Sequence, residues 1–368
     1  MNHSGRRLAI FTSRLNGGGA QRAMLNLAQE IATRGYAVDL VLARAQGPLL
    51  SQVPDSVRLV DLKASRVLAS LPALVRYLRH TQPQTLLAAL HYVNLVALWA
   101  RRLARVPTRV VVSERNHLSR EAELAPHRSL CLMPYLIKNF YPWADDIVAV
   151  SHGVADDLSQ VTRLCRERIK VIYNPVVTSE LKEKMTAPLQ HPWFAPDQPP
   201  VVLAMGRLSR QKDFPTLIRA FARVRQSRPA RLLILGEGQD RANLEVLIGK
   251  LGLNQEVSLP GFVANPYPYM SRAALFVLSS AWEGLPGVLI EALYCRVPLV
   301  STDCPSGPRE ILKNGLYGQL VPVGEVMALA RAMEKALSGQ VQPPPRESWR
   351  RFASEEVVEE YLRVLLEG

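Results

Sequence analysis

Cysteine is scarce in this chain: four in 368 residues, at 131, 165, 295 and 304. No two stand as Cys-x-x-Cys, which argues against a zinc site. A sparse, unpaired set suits a reducing compartment. Long apolar runs are missing too. The best stretch, Leu86 to Ala100, is interrupted by His91 and Asn94, short of the roughly 18 apolar residues that a membrane-spanning helix needs. The N-terminus is polar and basic and lacks the apolar core of a secretory signal. Acidic residues are in deficit, 32 against 45 Lys and Arg, for a net charge of +13.

What is present belongs to a globular protein of two ordinary domains: 48% hydrophobic and 21% charged residues. The positive charge is lopsided. Met1 to Ala195 holds 25 Lys and Arg against 14 Asp and Glu, or +11, which leaves +2 for the remainder. An anionic partner is expected at the N-terminal half. Nucleic acid is not expected, because no aromatic platform, zinc-finger spacing or basic recognition helix is present.

Short apolar strands alternate with helical patterns throughout, the mark of parallel α/β sheets. Strands are expected at 8–12, 38–43, 86–90, 109–112 and 147–150, then at 200–205, 231–235, 257–259, 275–278 and 299–301. Helices are expected at 20–34, 215–225 and 348–366. Prolines 188, 192, 196, 199 and 200 read as a linker. The expected division is 1–187, 188–345 and a final helical segment, 346–368.

Glu283 and Glu291 form the most telling pair. They stand in Trp282-Glu283-Gly284-Leu285-Pro286-Gly287-Val288-Leu289-Ile290-Glu291. A helix beginning near Pro286 puts Glu283 just before its N-terminus and Glu291 one to two turns in. Two carboxylates then flank a patch of free N–H groups, a natural anion seat. Gly206, Arg207 and Lys212 follow the strand at 200–205, where open α/β sheets bind ligands. A guanidinium fork and an ammonium point charge together suit a diphosphate.

Gly17, Gly18 and Gly19 follow the first strand and open a helix that carries Arg22; such a turn presents N–H groups to phosphate or a sugar oxygen. It is not the Gly-x-Gly-x-x-Gly dinucleotide fingerprint. Cys304 to Glu310 offers another small-residue turn after a strand. In the first half, Glu114, Arg115, Asn116 and His117 follow one strand and His91 ends another. The pairs Asp145-Asp146 and Asp156-Asp157 read as helix starts and caps, and no metal site is expected.

These elements resemble the retaining family 4 glycosyltransferases of the GT-B fold, across nearly the whole chain. Gly-Arg-x4-Lys, the Glu-x7-Glu joined to Glu-Gly-Leu-Pro and the Gly-rich loop after strand one carry the resemblance. Gly-Gly-Ala-Gln-Arg (18–22), Ser-Glu-Arg-Asn (113–116), Tyr-Asn-Pro (173–175) and Cys-Pro-Ser-Gly-Pro-Arg-Glu (304–310) are similar to bacterial enzymes acting on undecaprenyl-diphosphate-linked sugars, GalNAc transferases among them.

The resemblance implies two Rossmann-like domains facing a central cleft, with the last helix crossing back to the N-terminal one. It implies a nucleotide-sugar donor, UDP-linked, held by the C-terminal domain. Arg207 and Lys212 would neutralise the diphosphate without a metal or other cofactor. Glu291 would accept from the ribose hydroxyls, and Glu283 would contact the donor sugar. Gly206 and the N–H groups of Gly287, Val288 and Leu289 would add donors, and the base would lie at Phe262 and Val263. Gly17, Gly18, Gly19, Arg22, Glu114, Arg115 and Asn116 would face the acceptor, with His91 and Asn116 as catalytic candidates.

The expected acceptor is a lipid-linked glycan at an anionic membrane surface, reached by a cytoplasmic enzyme on the inner face of the membrane. The basic, apolar stretches 68–79 and 95–105 are the expected contacts. Two alternatives are a related enzyme with a soluble sugar or sugar-phosphate acceptor and, more distantly, a non-enzymatic nucleic-acid-binding protein.

Overall fold

The structure is a computed structural model that describes residues 7–124 and 132–367. Cys131 lies outside the described residues. The chain forms two compact units, 1–176 with 351–368, and 177–350.

The N-terminal unit holds seven parallel strands: β1 (Arg7–Thr12), β2 (Ala37–Leu42), β3 (Val57–Asp61), β4 (Thr85–Ala89), β5 (Arg109–Glu114), β6 (Asp146–Ala149) and β7 (Ile169–Val171). Their order is β3-β2-β1-β4-β5-β6-β7. Both faces of the inner strands are covered, so β4 is buried at every position and reads as an unbroken apolar run.

The second unit holds β8 (Val201–Met205), β9 (Arg231–Leu235), β10 (Val257–Gly261), β11 (Leu275–Leu278), β12 (Leu299–Thr302) and β13 (Gln319–Val321). The order β10-β9-β8-β11-β12-β13 repeats the Rossmann arrangement. Each sheet therefore reverses direction once, between β1 and β4 and between β8 and β11. Loops leaving the carboxyl ends of those strands diverge and open a crevice. The chemistry-bearing loops fall there: 13–18 and 90–91 in one unit, 206–213 and 279–286 in the other.

The expected boundary at 187/188 falls later than the division at 176/177. The helix Leu181–Thr186 is part of the second unit, where Asn265 Nδ2 and Ser271 Oγ donate to the carbonyls of Lys184 and Met185 at 2.9 and 3.5 Å. The proline-rich stretch is also packed: Arg231 lies over the Trp193 ring at 5.0 Å, and Phe194 meets Tyr269 edge-on. Proline composition signalled a linker; aromatic packing makes it part of a domain.

The last helix begins at Ser354, not Ser348, and runs to Leu366. It belongs to the N-terminal unit, as the GT-B expectation has it. Val357, Val358, Tyr361, Leu362 and Leu365 join that unit's core, each worth about 1.5–3 kcal/mol on burial. Thr85 Oγ1 also donates to the Leu365 carbonyl at 2.6 Å.

The paired aspartates are not caps. Asp146 sits on β6 and pairs with Arg109 and Lys170 at 2.7 and 2.6 Å. Asp157 lies inside the helix His152–Thr162, whose actual cap is Ser151, accepting from Val154 N at 3.2 Å.

Candidate functional site

In the C-terminal unit three loops meet. The loop after β8 bends through a short turn, Arg210–Lys212, and returns Lys212 toward β11. Lys212 Nζ lies 2.5 Å from Glu283 Oε1, with side-chain exposures of 15% and 7%. Ser280 Oγ donates to the same oxygen at 2.6 Å. Two charges removed this far from water persist only as a tight, hydrogen-bonded pair. The loops are also clamped by their backbones: Ser279 Oγ donates to the Lys212 carbonyl (2.7 Å), Gln211 Nε2 to the Trp282 carbonyl (3.0 Å) and Ala281 N to the Gln211 carbonyl (2.8 Å).

The third loop, after β12, closes over them. Glu283 N donates to the Pro305 carbonyl at 3.3 Å. Gly307, at φ +91°, packs so closely that an added Cβ would stand 2.5 Å from Pro286 Cδ.

Pro286 is the N-cap of the helix Gly287–Cys295, so Glu283 precedes the helix and Glu291 lies inside it, as the spacing anticipates. Leu289 N bonds to the Pro286 carbonyl at 3.0 Å. That leaves the Gly287 and Val288 N–H groups at the helix terminus as the natural anion donors. Glu291 is buried and accepts from the Tyr267 hydroxyl at 3.0 Å. Arg207 is exposed, whereas Lys212 is held by Glu283, so the two cations differ: one fixed, one open to solvent. Phe262 is 54% exposed and follows Gly261, at φ +93°, with Val263 beside it at the end of β10.

The N-terminal unit gathers different chemistry. Gly17 takes φ +85°, and Gly18 is the N-cap of the helix Gly19–Thr33, which carries Arg22. His91 does not end a strand; it opens the helix His91–Ala104. The preceding Leu90 takes φ 89°, a strained conformation for a branched side chain. His91 is 4% exposed and its Nδ1 is a buried atom without a hydrogen-bond partner. That nitrogen faces Glu121 Oε2 at 3.8 Å and Glu114 Oε1 at 3.9 Å. Asn116 Nδ2 donates to the same Glu121 oxygen at 2.9 Å. Glu121 thus joins His91 and Asn116.

Two of the expected acceptor contacts, Glu114 and Arg115, are buried. Glu114 is fully buried and takes hydrogen bonds from the Tyr141 hydroxyl (2.8 Å) and from Arg115 N (3.2 Å). Its carboxylate lies 3.9 Å from His91 Nδ1 and exposes no surface. Arg115 is also buried, its guanidinium tied to Asn174 Oδ1 at 2.5 Å and the Tyr361 hydroxyl at 3.0 Å. It fastens β5 to the last helix. Both charges looked like ligands because they follow a strand; the last helix and Tyr141, remote in sequence, cover them.

Burial pushes the Glu114 carboxyl up to about 8, the Tyr141 hydrogen bond opposing. Burial also lowers the imidazole of His91, with Glu121 pulling it up. A carboxyl raised on folding adds stability below its unfolded value, near 4.5, and loses it as pH rises through about 8. The N-terminal unit is therefore expected to melt several degrees lower at pH 9 than at pH 6. Glu114→Gln, which cannot ionise, should flatten that dependence. Differential calorimetry of both proteins across this range checks it; equal slopes would reject the assignment.

Glu121, Ser280 and Tyr267 escaped the sequence reading. Glu121 sits on a short helix, Leu118–Leu124, without a motif of its own. Ser280 is a common residue two places before a recognisable Trp-Glu-Gly. Tyr267 meets Glu291 only through the fold.

Both halves of the chain match known families. Residues 17–180 match the family described as Glycosyltransferase Family 4, and residues 188–356 match Glycosyl transferases group 1. A Campylobacter jejuni protein is 30% identical over 342 residues, 90% of each chain; it is the N-acetylgalactosamine-N,N'-diacetylbacillosaminyl-diphospho-undecaprenol 4-alpha-N-acetylgalactosaminyltransferase. A second from that organism, the GalNAc-alpha-(1->4)-GalNAc-alpha-(1->3)-diNAcBac-PP-undecaprenol alpha-1,4-N-acetyl-D-galactosaminyltransferase, is 25% identical over 98% of each chain. The Anabaena protein HepE in complex with UDP superposes with a TM-score of 0.77 at 22% identity, covering 98% of this chain and 99% of that one. With one relative this similar along nearly its whole length, the chain belongs to the family 4 glycosyltransferases and carries their GT-B fold.

Proposed function

We propose that this glycosyltransferase moves a hexose or N-acetylhexosamine, GalNAc-type, from a UDP-sugar to a polyprenyl-diphosphate-linked glycan, with retention and without a metal. The observation that carries the reading is the buried Lys212–Glu283 pair, with Glu283 in the loop that leads into the helix Gly287–Cys295. A paired cation and carboxylate, the latter next in sequence to a helix N-terminus, suit a diphosphate and a sugar hydroxyl side by side.

Arg207, Lys212 and the helix terminus stabilise the charge that develops on the leaving diphosphate. The anomeric carbon–oxygen bond to the diphosphate breaks, and the acceptor hydroxyl forms the new bond on the same face. Its proton passes to the departing phosphate oxygen, giving the nucleoside diphosphate and the glycoside. Glu291 anchors the ribose, and Tyr267 steadies Glu291. Glu283 accepts from the donor sugar, and Phe262 and Val263 flank the base. On the acceptor side, Gly17, Gly18, Gly19 and Arg22 offer anion donors, with His91 and Asn116 near the reacting hydroxyl. Support for the acceptor class comes from the names of the two Campylobacter relatives, and for the nucleotide from the UDP held by HepE.

The enzyme would work at the inner face of the cytoplasmic membrane, where its basic N-terminal half meets anionic lipid. Among the described residues no helix is long and apolar enough to cross a membrane. The test is a thermal-shift panel of nucleotide sugars, then mass spectrometry of transfer to a synthetic polyprenyl-diphosphate glycan with EDTA present. NMR of the product gives its anomeric configuration. Transfer only to free sugars, an inverted product, or loss of activity with EDTA would each strike out the corresponding part.

A further inference from the structure

β10 is an edge strand, paired only with β9. Its register slips before it ends. Ser258 stands opposite Leu233 and Gly261 opposite Leu235, so Leu259 and Pro260 share the place across from Ile234. That is a β-bulge, which re-aims the residues after it. Pro260, with no N–H to give, suits such a place.

A bulge leaves backbone groups without ladder partners, and here a side chain takes one up. Arg241 Nη1 donates to the Leu259 carbonyl at 3.1 Å. The guanidinium is itself held on every nitrogen. Nε and Nη2 donate to the two Glu237 oxygens at 2.9 and 2.5 Å, and Nη1 to Glu245 Oε1 at 2.9 Å. A two-point carboxylate–guanidinium pair fixes direction as well as distance. Glu237 also backs the strand end: a Cβ on Gly261, at φ +93°, would stand 2.8 Å from Glu237 Oε1, and the Gly261 carbonyl accepts from Gly236 N at 2.8 Å. Ion pairs as exposed as Glu237–Arg241 and Arg241–Glu245 contribute little to stability. Their effect is to aim one guanidinium at one carbonyl.

The segment 262–264 comes next. Its far end is pinned by Asn265, whose Nδ2 donates to the Lys184 carbonyl at 2.9 Å. Between these fixed ends Phe262 keeps its ring in solvent. An exposed ring on so constrained a backbone has the form of a stacking platform. The ring face alone accepts any base. Backbone N–H and carbonyl groups held at a set distance from it add the edge contacts that tell bases apart.

We propose that Arg241 is a positioning residue for nucleotide-base selectivity. Through the Leu259 carbonyl and Glu237 it sets the direction in which 262–264 leaves β10, and so aligns ring and backbone on one base. It acts through the strand end, not by touching the ligand. The inference deepens the donor reading above and rests on its placing of the base at Phe262 and Val263.

Isothermal titration of the full chain with UDP, GDP and ADP tests it, because the three share a ribose and a diphosphate and differ in the base. The parent is expected to favour UDP. Arg241→Met should weaken UDP roughly tenfold, the scale of one lost base contact, and ADP far less, so the preference narrows. Arg241→Lys keeps a donor for the Leu259 carbonyl and should recover part of it. Phe262→Ala removes the stack and should weaken all three nucleotides while keeping their order. Glu245→Gln leaves the Glu237 pair and the carbonyl contact in place and should bind like the parent.

An unchanged preference in Arg241→Met, or an equal loss for all three nucleotides as a merely structural role would give, would overturn the proposal. So would a parent that binds the three alike. The donor reading fails differently. Phe262→Ala with parental affinity for every nucleotide would move the base elsewhere and remove both. A parent that favours GDP or ADP would strike UDP from the donor reading, while selective loss of that favoured nucleotide in Arg241→Met would leave the role of Arg241 standing.

Discussion

Lys212→Ala is expected to cut transfer by about 10²- to 10³-fold, the usual cost of removing one preorganised group that stabilises developing charge. The geometry sets the argument. Lys212 is the fixed cation of the site, held 2.5 Å from Glu283 and tied through its own carbonyl to Ser279. Its charge is in place before a diphosphate arrives, so little reorganisation is needed as the bond breaks. The loss should therefore fall mainly on kcat, with a smaller rise in KM. Lys212→Arg should not rescue it, because a planar fork does not fill the site of a compact ammonium.

Glu283→Ala should lose transfer just as heavily, since the carboxylate places Lys212 and, on the proposed reading, accepts from the donor sugar. Breaking a buried pair also costs stability, about 3–5 kcal/mol when one charge is left alone. Thermal melts should show that loss in the C-terminal unit while circular dichroism retains the folded signal. Full activity in either variant would remove both residues from the donor site.

The fold was readable where strands are buried on both sides. β9 and β11 stand where the apolar runs put them, β4 is displaced by one residue and β8 starts one residue later. β3, β7 and β13 were missed for a physical reason. β3 reads Val-Arg-Leu-Val-Asp with only its first residue fully buried, and the other two are three residues long. An edge strand carries little apolar signal of its own.

The local geometry around Glu283 was legible for a similar reason. The Glu283 loop and the helix behind it are contiguous in sequence, and a helix start writes itself locally through Pro and Gly. The surroundings of Glu114 and Arg115 were not. Glu114 and Arg115 are buried by Tyr141, Asn174 and Tyr361, three residues that no local pattern links to them. Position after a strand suggests a ligand contact; only packing reveals whether the side chain can reach one.

The sharpest case is Gly236-Glu237-Gly238, an unremarked turn in the sequence that the structure packs against the loop after β8. Leu208 N donates to the Glu237 carbonyl at 2.9 Å, and Asp240 N to the Leu208 carbonyl at 3.1 Å. The turns after β8 and β9 are zipped backbone to backbone. A Cβ on Gly238 would overlap the Leu208 backbone, and one on Gly236, at φ +139°, would overlap the Gly206 carbonyl. Backbone cannot rotate away as a side chain can, so the turn carrying Arg207 and Lys212 would have to move. Gly238→Ala is expected to cost about 3 kcal/mol or more and to weaken nucleotide-sugar binding by at least roughly tenfold. Gly249→Ala is the matched control, because its nearest contact for a new methyl group is Asn254 Oδ1 at 3.9 Å within the helix Arg241–Lys250. There the added methyl should leave stability unchanged or raise it by about 0.5–1 kcal/mol. Melting temperatures with and without UDP-sugar distinguish the two. An unshifted melt and unaltered binding in Gly238→Ala would mean that the β8 turn is not held by its neighbour, and that Lys212 is positioned from the β11 side alone.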